Sequence, residues 1–282
     1  MTEPTPLRAW LDQAWNDHPE QPRQVADALA ERAASLPDDA DGAEALRLAE
    51  HTLLAHLADA PSLERLLAAT PPHPALAAAL QRARWALDTL AGTPATALPD
   101  GLRWRALHSV VMVLVARGDV AQARERLLAE APAATTSDDT DAAKGYAATA
   151  NNAAADLRHG PRGDAARDAL MIEAAELSRR AWARVGTWMH TERADYQVAL
   201  CHAAIGQGAQ AVAYAQACLD RCEAEGADAS ERFFAHEALV HAHRAAGDAA
   251  EAARQREHMQ ALLAGIADAD MHAWCEKTLA DT

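Results

Sequence analysis

Reactive side chains crowd the second half of this 282-residue chain: His190, Cys201, His202, Cys218, Cys222, His236, His241, His243, His258, His272 and Cys275. Cys218 and Cys222 stand four apart, the spacing that puts two side chains on one face of a helix. Two thiolates so placed can hold zinc or copper(I), with a histidine from a neighbouring helix as the third ligand; His202 and His236 are the candidates. The plainer role for the same pair is packing, because a free cysteine fills a core as a small apolar residue. No C-x-x-C occurs. Packing is the expectation, and neither a metal site nor a cofactor is called for.

His236-Glu237 followed by His241 has the look of a helical zinc motif, but that motif needs histidines at i and i+4. An offset of five turns the second ring about 140° from the first on a regular helix. His241 and His243, two apart, also point apart. Gly206-Gln207-Gly208 is too short for a phosphate-binding fingerprint, and no G-x-S-x-G occurs. Glu173 and Glu176 are followed at helical spacing by Arg179, Arg180 and Arg184, a pattern of surface ion pairs rather than of acid–base catalysis. No catalytic residue is expected, and the chain is not read as an enzyme.

Composition narrows the classes further. The net charge is −15, so the basic surface that a nucleic-acid backbone requires is missing. No run of about 18 apolar residues is present to cross a membrane. The opening MTEPTPLRAWLDQAW carries an early acid and no apolar stretch, so no secretory signal is expected. The four cysteines are then read as free thiols in a reducing cytoplasm. About 75 residues are Ala and only 4% are aromatic, so the core must be made by small and aliphatic side chains at close approach.

These residues need helices to position them. Apolar residues recur three and four apart, predicting fourteen helices near 5–17, 21–36, 42–58, 62–70, 75–92, 101–117, 120–131, 139–158, 164–185, 188–205, 208–225, 230–246, 249–265 and 268–280. Capping-box spacings at Asp41/Glu44, Asp119/Gln122, Asp228/Glu231 and Asp248/Glu251 mark starts. Gly118, Gly160, Gly206 and Gly247 mark stops, and 93–100 and 132–140 read as connections. Trp10, Trp15, Trp85, Trp104, Trp182, Trp188 and Trp274 suit helix–helix contacts; Trp182, Trp188 and Tyr196 alternatively form a contact patch near one bend.

The four glycines lie 41 to 46 residues apart, each between two helical patterns. Val198-Ala199, His202, Gly206, Ala211 and Cys218 in one unit match Leu239-Val240, His243, Gly247, Ala252 and Met259 in the next. An earlier unit has Val110-Val111, Leu114, Gly118, Ala123 and Leu127. The small residue five past each glycine lets two helices lie close. This pattern resembles the tetratricopeptide-repeat family. The resemblance implies an all-α, right-handed solenoid of stacked antiparallel helix hairpins, with about 14 helices. Residues 1–99 would be N-terminal hairpins and 100–282 the repeats with a C-terminal capping helix, in one continuous solenoid. Here 267–282 would serve as a cap or a homodimer contact.

Such a stack leaves a concave groove. By the resemblance, its groove-facing residues are Arg105, His108 and Met112, then Arg193, Tyr196 and Leu200, then Phe234, Glu237, His241 and Arg244. The family's Lys/Asn/Arg carboxylate clamp is not found. The expected function is non-catalytic protein–protein interaction, with a peptide or partner helix in the groove and neither nucleic acid nor membrane as partner. The alternative is a Cys/His-based metal- or redox-responsive sensor on the same scaffold.

Overall fold

A computed structural model describes residues 7–282; the first two residues of the helix expected near 5–17 lie outside them. The described residues form fourteen α-helices, three short 3-10 turns, one π-turn and no strand. The helices are α1 (Leu7–Asp17), α2 (Pro22–Arg32), α3 (Ala40–Glu50), α4 (Ala60–Ala69), α5 (Ala77–Ala91), α6 (Asp100–Ala116) and α7 (Val120–Thr136). They continue with α8 (Thr140–His159), α9 (Ala165–Val185), α10 (Trp188–Ala204), α11 (Gly208–Ala224), α12 (Ala229–Ala245), α13 (Ala249–Leu262) and α14 (Ala269–Asp281). None is long and apolar enough to cross a membrane. The chain divides into two compact units, one up to Glu130 and one from Ala131 on.

The second unit is regular. Each helix from α8 to α13 packs on the next, and α10 also meets α8 and α12. Asp228 and Asp248 cap α12 and α13 as expected, accepting from the backbone N–H groups of Glu231 and Glu251 at 3.0 Å. The glutamates do not close the boxes: Glu231 binds Arg193 and Glu251 accepts from Gln255. Gly206 and Gly247 are left-handed, at φ 75° and 80°, as helix stops require. Gly160 is not: it is extended, and Gly163 takes the left-handed position at φ 91°. Residues 132–136, expected within a connection, instead finish α7. Thr135 and Thr136 hydroxyls donate back to the carbonyls of Ala131 and Pro132 four residues earlier, a local bond that threonine makes within a helix.

The first unit is less regular. The start of α3 is capped by Asp39 rather than Asp41, because Asp39 is extended and can turn its carboxylate back onto the N–H groups of Asp41 and Gly42. The helix expected over 42–58 does not run through. It ends at Glu50 and continues as the π-turn His51–His56. That turn is packed on by α2, α4 and α6, with Leu53 and Leu54 buried in the core. Just before it, Glu50 is buried and ion-paired to Arg82 at 2.7 Å. The Ser109 hydroxyl donates to the same carboxylate at 2.9 Å. Just after it, Ala58 is left-handed at φ 49°, alone among described non-glycine residues. Such a conformation costs an alanine about 1–2 kcal/mol and persists where the surroundings over-determine it.

Candidate metal centre

Three imidazoles meet where the chain leaves α1 and where the π-turn passes beside it. The His51 and His18 Nε2 atoms are 3.0 Å apart, and the His56 and His51 Nε2 atoms 3.1 Å. The donor nitrogens of all three lie within 4.8 Å of one another. Two zinc–nitrogen bonds of about 2.0–2.1 Å at a tetrahedral angle separate their nitrogens by about 3.3–3.4 Å. The observed spacings fall a few tenths of an ångström short of that.

The π-turn produces this convergence. On an α-helix, residues five apart diverge by about 140°. When the backbone bonds instead run from i to i+5, the turn is wider and the fifth residue comes back to the same side as the first. His51 and His56 are five apart, and the wider turn points both rings at His18.

Hydrogen bonding sets the protons. His18 Nδ1 is 2.7 Å from the Trp15 carbonyl oxygen, which can only accept, so this nitrogen carries the hydrogen. In neutral His18 the Nε2 is then a lone pair. Burial holds the His51 pKa down to about 2, and the neighbouring His108, His56, His18 and Arg82 add to the effect. With both rings neutral, His51 carries its hydrogen on Nε2 and donates it toward His18, while His56 Nε2 lies 3.1 Å from the same nitrogen. Replacing that hydrogen with a cation gives three lone pairs one focus. A histidine held through its other nitrogen by a carbonyl is the usual arrangement around a metal ligand.

The surroundings hold the rings in place. Trp15 lies edge-on to His18, with centroids 5.2 Å apart, and donates its indole N–H to Glu44 at 2.9 Å. His108 stacks on His51 at 5.3 Å and 25°. His18 is buried while His51 and His56 are half-buried, so the cluster reaches solvent on one side.

The residues singled out from the sequence are placed as follows. In the first unit Arg105 is exposed, Met112 is half-buried, and His108 is buried against His51. In the second unit Arg193 binds Glu231. Tyr196 donates to Glu237 at 2.9 Å and lies edge-on to Phe234, which touches Trp274. Leu200 is buried, His241 Nε2 is 3.6 Å from Glu237, and Arg244 donates to the Thr282 carbonyl. Trp182 stacks on His190.

The four cysteines are free and buried. Cys218 and Cys222 share one face of α11, as their spacing predicts, but the third donor beside them is Glu192 of α10. Burial pushes the Glu192 carboxyl up to about 7, with the neighbouring Glu231 charge adding to it. The Cys222 thiol and burial hold Cys218 well above its ordinary value. His202 instead contacts Gln207 at 2.6 Å and stacks on Tyr214, while His236 contacts Gln255 at 2.6 Å and stacks on His258. His18, His51 and His56 were not singled out in the sequence. The one local signal is a pair of histidines five apart, which helix geometry rejects unless the turn is known to be wide.

No family model matches the chain, and no curated protein sequence matches it.

Proposed function

We propose that this protein binds a divalent transition-metal ion through His18, His51 and His56, as a metal-responsive element on a helical-hairpin scaffold. The convergence of three Nε2 atoms carries the reading. Imidazoles without a carboxylate suit zinc, copper or nickel and not the oxygen-seeking magnesium or calcium. Three protein ligands leave one coordination position for water or another small ligand. The ion ties the segment after α1 to the π-turn, so its binding is felt by the helices packed there. We read the scaffold as a right-handed tetratricopeptide-like stack, supported by the left-handed glycine turns and the successive helix contacts of the second unit. The four free, buried thiols support a reducing, cytoplasmic setting.

Calorimetric titration of metal-stripped protein with zinc tests this. The intact chain is expected to show a tight site that His51→Ala/His56→Ala lacks, and calcium is expected to give no such site. Equal zinc binding by the double variant would overturn the reading.

A second reading, recognition of a protein partner, is favoured by the aromatic row Tyr196, Phe234 and Trp274. Trp274 is 58% exposed, the one exposed large hydrophobic side chain among the described residues. Aromatic side chains in such rows are frequent binding anchors. Loss of a co-purifying protein on Trp274→Ala/Phe234→Ala is expected, and its full retention would remove this reading.

A further inference from the structure

We propose a second metal site of different chemistry, formed by Glu192 of α10 with Cys218 and Cys222 of α11, for a thiophilic ion of the zinc class. The three donor atoms lie within 4.8 Å of one another and all three residues are buried. The Cys218 Sγ is 2.8 Å from Glu192 Oε1, a close approach of sulfur to a carboxylate. The two thiols belong to a core cluster that includes Ala211, Ala215, Leu219 and Ala238, so water is kept away.

A second observation points to a ligand. Glu192 is 1% exposed, and its Oε2 is a buried polar atom with no hydrogen-bond partner. Buried polar atoms are nearly always satisfied, and an exception calls for an explanation such as an ion. Its polar surroundings are the two thiols and the Glu231 carboxylate, which also holds the Arg193 guanidinium.

The ligand type follows from the donors. Thiolates select zinc, cadmium and copper(I) over magnesium and calcium. Zinc–sulfur and zinc–oxygen bonds of about 2.3 and 2.0–2.2 Å set sulfur and oxygen about 3.5 Å apart, so a small rotation of the two side chains admits the ion. Any proton on a coordinating thiol or carboxyl is released to solvent as the metal–ligand bond forms. Two thiolates and one carboxylate around a divalent ion leave a single negative charge, close to the Arg193–Glu231 pair. Because the site is closed, the ion enters during folding or a local opening.

Cobalt(II) is the probe, since thiolate ligation adds near-ultraviolet charge-transfer bands that imidazole ligation alone does not. The chain carrying His51→Ala/His56→Ala, which lacks the other centre, is refolded under reducing conditions with cobalt. The same measurement is made on the otherwise unaltered chain in case the histidine variant folds poorly. Thiolate bands are expected at about one cobalt per site. Cys218→Ala/Cys222→Ala is expected to fold, as judged by circular dichroism, because alanines already line this core, and to lose the bands entirely. Glu192→Gln is expected to keep the bands but shift them and weaken cobalt binding by at least about tenfold. Folded protein without thiolate bands would show that the trio is only a buried thiol–carboxyl hydrogen bond, bands that survive the double cysteine change would place the cobalt on Cys201 or Cys275, and either result would overturn the proposal.

Discussion

His18, His51 and His56 in the first unit and Glu192, Cys218 and Cys222 in the second each bring three donor atoms within 4.8 Å, by opposite routes. The second cluster uses ordinary geometry: two residues four apart on a regular helix, met by one residue of the neighbouring helix. The first depends on an irregularity, a π-turn that brings residues five apart onto one side. The same spacing occurs in both units with different results. His236 and His241, also five apart, sit on the unbroken α12 and part company, one to Gln255 and the other to Glu237. Spacing alone therefore does not make a site; the local winding of the backbone decides whether five residues separate two side chains or align them.

The largest expected effect comes from breaking what holds that irregular turn. Glu50 is 1% exposed and its partner Arg82 is 13% exposed. Glu50→Ala leaves a buried guanidinium unpaired, at a cost of about 3–5 kcal/mol. The Glu176–Arg180 pair of the second unit is far more exposed, at 37% and 55%, and Glu176→Ala is expected to cost under about 1 kcal/mol. Denaturant unfolding of both variants measures the contrast, and similar losses would contradict it.

Deleting Ala55 sharpens the comparison further. It shortens the His51–His56 spacing to four, which an ordinary α-helix aligns. Zinc affinity is expected to stay within about tenfold, a change below about 1.4 kcal/mol. Complete loss of binding would mean that the π-turn contributes something other than alignment.

Ala58→Gly relieves the left-handed alanine that follows the turn and is expected to stabilise the protein by about 0.5–1 kcal/mol. A lowered melting temperature would show that Ala58 is not strained.

The smallest effect is a pH dependence in the second unit. Burial lowers the His236 pKa below its ordinary 6.5, against the raising effect of the Gln255 contact. Above 6.5 both folded and unfolded chains hold His236 neutral. Below it the unfolded chain accepts a proton that the folded one resists, so stability falls as the pH drops. His236→Gln is expected to reduce the drop in melting temperature between about pH 7 and pH 5. An undiminished drop would assign it to other groups.

Much of the second unit was legible in the sequence because its elements follow local rules. Asp228 and Asp248 cap where their spacing says, Gly206 and Gly247 stop helices, and Cys218 and Cys222 share a face. Gly160 misled because an extended glycine and a left-handed one look alike in a sequence; only the chain path shows that Gly163 does the turning. The partner of the cysteines was also hidden. A glutamate in an Ala-rich helix reads as solvated, and Glu192 is buried only because α11 folds over it. The histidine centre was the least legible. Its members span 39 positions, from His18 to His56, and its key pair has a spacing that regular helix geometry rules out. The wide turn is over-determined by the packing of α2, α4 and α6 and by the buried Glu50, none of which periodicity reports.

Anomalous diffraction at the zinc absorption edge, from crystals of the zinc-loaded protein, tests the central claim most directly. The account predicts a peak about 2.0–2.1 Å from the Nε2 atoms of His18, His51 and His56, with the π-turn intact. Zinc-loaded crystals with no peak at these three nitrogens would contradict it.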